Sequence, residues 1–367
     1  SHAQVAAGLC HAVAVDARGS AHFFGSLLVD DGLNEQLAAG SAPLCLALRR
    51  PTVAVACGWN HTLLLDAFGS VFSFGLGSDG QLGHGDTASR AAPHLVKGLC
   101  HSCAVQVAAG SAHSLVLGLP LHTMTPGNMV YAFGLNEEGQ LGQGDRECIS
   151  APRALGTISH CSPCQISCGG YHSAMVTSRG ELYTWGYGRA GRLGSGSEED
   201  QLHPLRVPAP SERCPLVDAS AMKQFQRVSC GAAFTVASIG TTGFETIWAC
   251  GQGWEGQLGA GGAGVISLTL RMVPRLSLSQ RMRHIATREG VVVLMEDESA
   301  LAWGKTPQFL DGVRFSPTRV AALSGARQVA LGQDFALVLT RDGGLEWWQA
   351  AEGVGIGGAP FRRIPMV

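Results

Sequence analysis

A glycine-rich motif recurs along the chain and restricts what it can fold into. The best copy is VFSFGLGSDGQLGHG at Val71–Gly85, and the others are VYAFGLNEEGQLGQG at Val130–Gly144, LYTWGYGRAGRLGSG at Leu182–Gly196, TIWACGQGWEGQLGAG at Thr246–Gly261 and a damaged GLNEQLAAG at Gly32–Gly40. The chain of 367 residues contains 50 glycines, and many of them occupy fixed places in these copies. Glycine at fixed places marks turns, because it adopts backbone angles that other residues avoid.

A second motif precedes the glycine-rich copies and sets the length of the repeat. It pairs a short apolar strand with a glycine, a turn and a second strand, and its seven copies are Val5–Val15, Val55–Leu65, Val107–Leu117, Ile166–Val176, Val228–Ser238, Ile285–Met295 and Val329–Leu339. The aligned positions are Gly8, Gly58, Gly110, Gly169, Gly231, Arg288 and Gly332, which lie 44 to 62 residues apart. Strand-rich repeats of about 50 residues are typical of propellers and solenoids.

One repeat contains four predicted strands. Thr52–Cys57 and His61–Leu65 flank a short turn, Ser70–Phe74 follows, and Pro93–Val96 comes after the glycine-rich loop. Four short antiparallel strands joined by glycine turns form one propeller blade. We therefore predict an all-β fold, a seven-bladed β-propeller of four-stranded antiparallel blades. Because Pro360–Val367 is similar to a fourth strand, we expect the N- and C-terminal strands to pair in one blade and close the ring.

Both motifs resemble those of the regulator of chromosome condensation repeat family, whose blades carry glycine-x-x-His-Ser/Thr, an aromatic residue before glycine, and a Gly-Gln-Leu-Gly loop. The resemblance extends over essentially the whole chain and is strongest in repeats two to four. Repeat six keeps only Leu301-Ala302-Trp303-Gly304, and repeat seven has its loop reduced to Gly353–Gly358. The family implies a seven-bladed propeller. We expect residues 1–367 to form one such domain, with first strands near residues 5, 55, 107, 166, 228, 285 and 329.

The turns of such a blade alternate between its two ends. We call the end with the turns between first and second strands, and the loops between third and fourth strands, the upper face, and the other end the lower face. Four insertions, at Gly118–Met129, Gly156–Cys164, His203–Met222 and Ser238–Phe244, belong to the lower face. The acidic segment from Ser195 to Gln201, SGSEEDQ, is expected to be a mobile solvated loop, with binding of a metal or a basic partner as the alternative.

The histidines of the repeat are predicted to be structural. They are His11, His61, His113 and His172. An active site is not copied around a ring, whereas a buried imidazole can hydrogen-bond between strands in every repeat. Phe234 and Phe335 replace the histidine in two repeats, so a ring of either kind fills this position. The sequence contains no Ser/His/Asp arrangement, Walker loop or HExxH motif, and we predict no catalytic residue and no cofactor.

The twelve cysteines indicate a reducing compartment, in the cytoplasm or nucleus, rather than disulfides. The residues before the repeat glycine are Cys57, Cys168 and Cys230 in three copies and Ala7 and Ala109 in two others. Such a position requires a small apolar residue. Two CxxC pairs, Cys100 with Cys103 and Cys161 with Cys164, have a spacing found in zinc sites. Four thiolates bind zinc only if the two loops meet, and we prefer unpaired thiols and no metal.

Charge and apolar patterning limit the partners. The chain has 26 basic and 28 acidic residues and a net charge of −2, which argues against a broad nucleic-acid or anionic-membrane surface. Without a run of 18 apolar residues, no transmembrane helix and no membrane insertion are expected. A local basic patch is the alternative, but no nucleic-acid partner is expected, and a charge-balanced propeller with varied loops suits a protein partner.

Exposed aromatic residues of the upper face are the candidate partner-binding residues. The set, with the polar residues expected beside them, is Trp59, Asn136, Glu137, Tyr171, Tyr187, Arg189, Trp254, Glu255 and Asp334. Trp, Tyr and Arg dominate the energetics of protein interfaces. The alternative is that each ring packs on its neighbouring loop.

Three functions are compatible with the resemblance. The first is a non-enzymatic protein–protein interaction module, an adaptor or scaffold within a larger assembly. The second is a guanine-nucleotide exchange factor for a Ran-like or other small GTPase, as the family's founding member implies; Gly118–Met129 is a candidate exchange element by size alone. The third, light sensing, needs a tryptophan cluster, and only one copy carries tryptophan at the Trp59 position.

Overall fold

The computed structural model describes residues 4–29, 32–34, 43–121, 127–158, 160–210, 224–241, 244–278, 282–307, 313–349 and 361–364. Their strands form seven antiparallel sheets of four strands, each sheet running in chain order from its inner to its outer strand, and the sheets are arranged as the blades of a propeller. The predicted all-β, seven-bladed fold is confirmed.

The first four blades are built from contiguous stretches of chain. Their strands are Gln4–Ala7, His11–Val15, Ala21–Gly25 and Leu44–Leu46 in blade 1; Thr52–Cys57, His61–Asp66, Val71–Gly75 and Arg90–Leu95 in blade 2; Ser102–Ala109, His113–Pro120, Met129–Gly134 and Ile149–Ala154 in blade 3; and Pro163–Cys168, His172–Thr177, Leu182–Gly186 and Gln201–Arg206 in blade 4. The predicted fourth strand of blade 2 begins three residues early, at Arg90, because a bulge between Arg90 and His94 extends its pairing to Gly75.

The remaining blades follow the same order. Their strands are Phe225–Cys230, Phe234–Thr241, Phe244–Gly253 and Val265–Leu278 in blade 5; Met282–Thr287, Gly290–Met295, Ala300–Lys305 and Val313–Arg319 in blade 6; and Ala326–Leu331, Phe335–Thr340, Leu345–Gln349 and Phe361–Ile364 in blade 7. A further hairpin, Leu27–Val29 with Gly32–Asn34, stands in blade 1 where the damaged copy begins. Short 3-10 helices lie at Lys97–Leu99, Gly156–Ile158, Arg189–Gly191 and Ala321–Leu323.

The core lies between neighbouring blades, where the sheets pack face to face. Second strands are buried along their whole length, as in His61–Asp66 and Gly290–Met295. Both faces of such a strand are covered, which explains its continuous apolar sequence. Apolar clusters join each blade to the next; in one of them Leu117 and Val130 of blade 3 share a core with Met175 and Trp185 of blade 4.

The ring is closed differently from the expectation. Gln4–Ala7 is the inner strand of blade 1, whereas Phe361–Ile364 is the outer strand of blade 7 and pairs with Leu345–Gln349. The predicted pairing of the terminal strands in one blade is therefore wrong, because Leu44–Leu46 already supplies the fourth strand of blade 1. Side-chain packing and hydrogen bonds join blades 7 and 1 instead.

Two contacts illustrate this closure. The Val5 N–H donates to Gln328 Oε1 at 3.1 Å, between the inner strands of blades 1 and 7. Ala12 and Phe24 of blade 1 pack in one apolar cluster with Leu337 of blade 7.

Main-chain hydrogen bonds also link the upper turns around the axis, and we call this set the axial hydrogen-bond ring. The donors and acceptors are Leu9 N–H to Trp59 O, Trp59 to Ser111, Ser111 to Gly170, Gly170 to Ala232, Ala232 to Arg288, and Gln333 to Leu9, at 2.7 to 3.4 Å. In the described part of the chain, the step from blade 6 to blade 7 has no such bond. There the Arg288 side chain passes blade 7 and donates to Gly8 O of blade 1 at 2.8 Å.

The insertions lie at the lower ends of the blades as far as they are described. Two of them lengthen hairpins between second and third strands, so that His113–Pro120 and Phe234–Thr241 each have eight residues. Residues 122–126, 159, 211–222 and 242–243 of these insertions lie outside the described residues, as do residues 35–40 and 353–358 of the degraded loops.

Candidate interaction surface

The repeat histidines lie inside the interfaces between blades, as predicted for a structural role. Each Nε2 contacts a hydroxyl on the second strand of the next blade: His11 with Thr62 at 2.9 Å, His61 with Ser114 at 3.0 Å, His113 with Ser173 at 3.0 Å and His172 with Thr235 at 2.9 Å. Three of the hydroxyls donate in turn to a loop carbonyl of the blade that carries the histidine. The carbonyls are those of Gln81, Gln140 and Arg192. We call the contact from histidine to hydroxyl a histidine bridge.

The bridges fix the protonation state of the imidazoles. Because the Ser173 hydroxyl uses its proton on Gln140 O, its oxygen accepts from His113, and Nε2 carries the proton. The Nδ1 atoms of the bridge histidines have no hydrogen-bond partner in the described residues. Burial lowers the pKa of His113 to about 3 and that of His61 to about 4. The four rings are therefore neutral at physiological pH and support no acid–base chemistry there.

The described cysteines are all free thiols. Cys103 lies near Phe68 O, whereas Cys161 lies near the Tyr183 hydroxyl and Cys164 near Val176 O. Within the described ranges, no three His, Cys, Asp or Glu side chains are grouped as metal ligands. None of the helices there has the length and hydropathy to traverse a bilayer.

The Gly-Gln-Leu-Gly loops hold the upper face in shape. In three blades the glutamine Oε1 accepts a main-chain N–H from the residue two positions earlier: Gln81 from Asp79, Gln140 from Glu138 and Gln257 from Glu255, each at 2.9 Å. The leucine that follows is buried, as in Leu82 and Leu141. The loop is therefore a rigid support, and side chains at its tip are presented to solvent in a fixed geometry.

Three of the predicted aromatic residues meet on this face. Trp59 of blade 2 and Tyr171 of blade 4 have ring centroids 6.0 Å apart, and Tyr171 and Tyr187 are 6.4 Å apart, both in edge-to-face geometry. Trp59 can reach across blade 3 because the intervening turn carries the small Ser111, which binds both neighbouring turns through its main chain. Trp59 remains 37% exposed. The rings therefore pack on one another and still face solvent.

Two arginines of blade 4 adjoin the rings. Arg189 is exposed, and a hydrogen bond to Tyr187 raises its pKa. The Arg192 guanidinium lies over the Tyr187 ring, 4.8 Å from its centroid, and donates to Arg189 O at 2.9 Å and to Ala232 O at 3.4 Å. We call Trp59, Tyr171, Tyr187, Arg189 and Arg192 the aromatic–arginine patch. It combines apolar area with positive charge at the upper end of blades 2 to 4.

Sequence reasoning missed Arg192. The residue is only 6% exposed, and burial lowers its pKa. The sequence does contain a sign of it, because blade 4 reads Gly-Arg-Leu-Gly where blades 2, 3 and 5 read Gly-Gln-Leu-Gly. The N–H that glutamine would bind, that of Ala190, is instead bound by Glu198 Oε1 at 2.7 Å.

One predicted residue is not at the surface. Asn136 is fully buried, because its amide donates to Asp145 and its oxygen accepts from the Leu141 N–H at 2.9 Å. The expectation that Asn136 stands exposed among the candidate partner-binding residues is therefore wrong, because its side chain braces its own loop. Glu137 beside it is exposed, and its carbonyl accepts from Arg146.

The other predicted residues lie on blades 5 to 7, apart from the patch. Trp254 is 55% exposed and has no ring contact in the described residues. Glu255 is 3.7 Å from Lys305 Nζ, which also contacts Glu289 at 2.9 Å. Asp334 is exposed, and its charge adds to the rise in the pKa of Lys305, which is caused chiefly by Glu289.

The acidic segment is held in place, contrary to the expectation of a mobile loop. Asp200 Oδ1 accepts from the Gly188 N–H at 2.9 Å, and its Oδ2 contacts Arg146 at 2.8 Å. Together with the Glu198 contact to Ala190, these bonds fasten the segment to the loop that carries Arg189. The carboxylates of Glu198 and Asp200 therefore accept hydrogen bonds from main-chain and arginine donors of this chain. Glu199, between them, is exposed.

Comparisons with known proteins agree with this architecture. Profiles of the regulator of chromosome condensation (RCC1) repeat match residues 69–117, 128–176 and 179–238, and a second RCC1 repeat profile matches 53–81 and 164–192. The human E3 ubiquitin-protein ligase HERC2 is 31% identical over 83% of this chain, but the chain spans only 6% of its length. The Arabidopsis thaliana ultraviolet-B receptor UVR8 is 29% identical over 86% of this chain and 69% of the receptor.

Solved structures show the same fold at lower identity. Human WBSCR16 superposes with a TM-score of 0.69 at 21% identity, covering 93% of this chain and 89% of that one. Prp20p from Saccharomyces cerevisiae superposes with a TM-score of 0.70 at 20% identity, covering 91% of this chain and 81% of Prp20p. Its structure was reported with its binding properties to Gsp1p and histones. With its repeat motifs, its seven blades and these matches in agreement, the chain belongs to the regulator of chromosome condensation (RCC1) repeat family.

Proposed function

We propose that the chain is a non-enzymatic protein-interaction module, an adaptor or scaffold, formed as one domain over residues 1–367. The aromatic–arginine patch is the observation that carries this proposal. Three partly exposed rings contact one another beside an exposed arginine, on turns linked by main-chain hydrogen bonds, so less side-chain entropy is lost when a partner covers them. Residues of these types supply most of the binding energy at protein interfaces.

The relatives are compatible with this role and do not extend it. The segment of HERC2 that matches this chain is a small part of a much longer ligase. The ligase activity of HERC2 is therefore not assigned to this chain. We further propose an intracellular, reducing location. The free described cysteines support it, and burial raises the pKa of Cys57 and Cys230 to about 12, which keeps these thiols protonated and unreactive.

The experiment compares two surfaces of one chain. Trp59→Ala and Tyr171→Ala remove rings of the patch, whereas Phe68→Ala removes a ring that is 66% exposed on the lower face of blade 2. Tagged chains capture partners from cell extract, and captured proteins are quantified by mass spectrometry after thermal unfolding has verified each fold. We expect partners held by the wild type to fall about tenfold or more on the two patch variants, as hot-spot truncation does, and to remain on Phe68→Ala. Equal capture by all variants would remove the patch from the interface.

Guanine-nucleotide exchange is the second candidate. It rests on the fold that the chain shares with Prp20p, a protein with reported Gsp1p binding. Release of a fluorescent GDP analogue from a panel of small GTPases tests it. Acceleration by the purified chain would replace the adaptor proposal, and acceleration lost on Trp59→Ala would place exchange on the upper face.

A further inference from the structure

Blade 4 places a buried positive charge where the fold does not require one. The same loop position is a neutral glutamine in three other blades, and those loops have the same hydrogen-bond pattern. Burying a cation costs free energy unless a charge or several acceptors compensate it. Arg192 has two carbonyls and one ring, and it forms no ion pair with a carboxylate in the described residues. Asp200 and Glu138 compensate its charge only at a distance, so Arg192 keeps positive potential that a bound group can use.

Two exposed basic residues of the upper face, Arg146 and Lys305, differ from it. Arg146 contacts Glu138 and Asp200, and Lys305 contacts Glu255 and Glu289, so their charges are balanced within the chain. Arg189 resembles Arg192, since its hydrogen bond goes to a tyrosine and it forms no ion pair among the described residues. Two cations without an ion pair among the described residues thus stand side by side, and both adjoin Tyr187. Glu198 acts on Arg189, and Asp200 and Glu138 act on Arg192, from beyond contact distance.

We propose that the aromatic–arginine patch binds an acidic segment of a partner protein. A carboxylate of the segment contacts Arg189 directly, and an apolar side chain next to it covers Trp59 and Tyr171. Arg192 acts through Tyr187 and through its charge, which is little screened because it is buried. Charge complementarity selects this occupant over a basic or neutral segment. The inference rests on the proposed function and specifies the chemistry of its partner.

The probe is a displayed library of random dodecapeptides, selected on the full chain at low salt. Selected peptides are synthesised in pairs, with Asp and Glu in one and Asn and Gln in the other, and titrated by fluorescence anisotropy. Arg192→Gln installs the residue that the fold accepts at the same position of three blades, so it removes the charge without demanding a new loop. Phe68→Ala and Arg206→Gln, on the lower face, are the matched controls.

We expect the selected peptides to be enriched in Asp and Glu beside apolar residues. Replacing Asp and Glu of a peptide by Asn and Gln should weaken its binding about tenfold, and so should Arg189→Gln or Arg192→Gln in the chain. Rising sodium chloride should weaken binding to the wild type more than binding to these variants. The lower-face variants should bind as the wild type does. Peptides that lose binding on Trp59→Ala but not on the arginine variants would overturn the acidic specificity and leave the interaction function intact.

Three further results count against the proposal. Peptides that ignore every upper-face variant would overturn the proposed function together with this inference. Binding of a short single-stranded oligonucleotide that is lost on Arg189→Gln would assign the same charges to nucleic acid. Self-association of the chain that is lost on Trp59→Ala, measured by light scattering, would make a second copy the occupant.

Discussion

The two halves of the ring are held together by different chemistry. From blade 1 to blade 5, each interface contains a histidine bridge, in which a buried imidazole donates to a hydroxyl of the next blade. From blade 5 to blade 7 the bridge is absent, since Phe234 and Phe335 occupy two of the histidine positions. The shared glycine shows what both halves need: an added Cβ would lie 2.2 Å from the ring at Gly110 and at Gly332 alike. Packing of a ring on this glycine is common to six of the seven blades, blade 6 being the exception, and the polar bond is an addition to it.

Without histidine bridges, the second half relies on other contacts, one of which, a tryptophan bond to a loop carbonyl, also occurs in the first half at Trp185 and Gln140. Trp303 Nε1 donates to Gln257 O at 2.9 Å between blades 6 and 5, and Phe335 stacks on Trp347 with centroids 4.3 Å apart. Arg288 reaches Gly8 O where the axial hydrogen-bond ring lacks a step. None of these contacts changes its proton count near neutral pH. The second half has one buried histidine contact, His284 Nε2 to Val329 O at 2.9 Å, whose pKa burial also lowers, whereas the first half has four bridges. The first half is therefore expected to be the more sensitive to acid.

Acid should produce the largest difference. Burial lowers the pKa of His11 and His113 to about 3 and of His61 to about 4, and it lowers that of His172 as well. The unfolded chain then binds protons that the folded chain excludes, so stability is full above the unfolded pKa of about 6.5 and is lost as the pH falls towards the folded values. Each histidine should lower the free energy of unfolding by about 2 kcal/mol between about pH 7 and pH 5.

Urea unfolding at both pH values measures this loss, and hydrogen exchange locates it. His113→Phe is the matched variant, because phenylalanine fills the same position in blades 5 and 7. Its free energy of unfolding should be lower than that of the wild type at pH 7. Between the two pH values it should fall by about 2 kcal/mol less than that of the wild type. Equal acid sensitivity of wild type and variant would show that the bridge is not the titrating element.

Crowding the ring should have the next largest effect. In Gly110→Ala the new Cβ would lie 2.2 Å from His113 Cε1 and 2.6 Å from Gly169 O, so both blades must shift, at a cost of about 3 kcal/mol. Gly156→Ala is the control, since no atom lies within 4 Å of its added Cβ. Thermal unfolding gives the midpoints of the two variants, and that of Gly110→Ala should be the lower. Equal midpoints would mean that the His113 ring does not require glycine at position 110.

A bridge can be transplanted into the second half. Phe234→His alone should cost about 2 kcal/mol, because the imidazole donor faces Val291 and stays unpaired. Adding Val291→Thr supplies the hydroxyl, and Gln257 O is available to it as Gln140 O is to Ser173 and Trp185. A double-mutant cycle should give a coupling of about 1 kcal/mol. Strict additivity would mean that the two blades are not aligned as the first half is.

The smallest effect is expected at Arg288. Arg288→Met removes the bond to Gly8 O and should cost about 1 kcal/mol, with faster hydrogen exchange confined to Gln4–Ala7 and Ala326–Leu331. Arg341→Met is the control, because its exposed ion pair with Glu298 contributes little. Exchange that rises evenly over all blades would contradict a local role for Arg288.

The repeat made the fold predictable, since each copy reports the same strands and turns independently. Thr52–Cys57 was predicted with the bounds that the structure has. Closure of the ring was predicted wrongly, because it depends on which blade the short strand Leu44–Leu46 joins, and one sequence contains no record of that pairing. The prediction of a mobile loop at Ser195–Gln201 is also wrong. Glu198 and Asp200 bind the main-chain N–H groups of Ala190 and Gly188, and the sequence does not show that these two segments lie close together.

The candidate surface was predictable only residue by residue. Trp59, Tyr171 and Tyr187 were identified as upper-face rings, but their contact depends on the small Ser111 turn between blades 2 and 4. Asn136 was misplaced because its amide serves the loop around it, a choice that side-chain type does not reveal. The partner-binding role of the remaining residues stays a prediction.

The histidine bridges also make the interfaces countable in solution. Each bridge encloses one nitrogen-bound proton, shielded from water and linked to a different pair of blades. Such protons exchange slowly and resonate apart from amides, so an imidazole-selective NMR spectrum would hold one line for each intact interface in the first half. Heating, acid or a bound partner could then be followed through the ring one interface at a time.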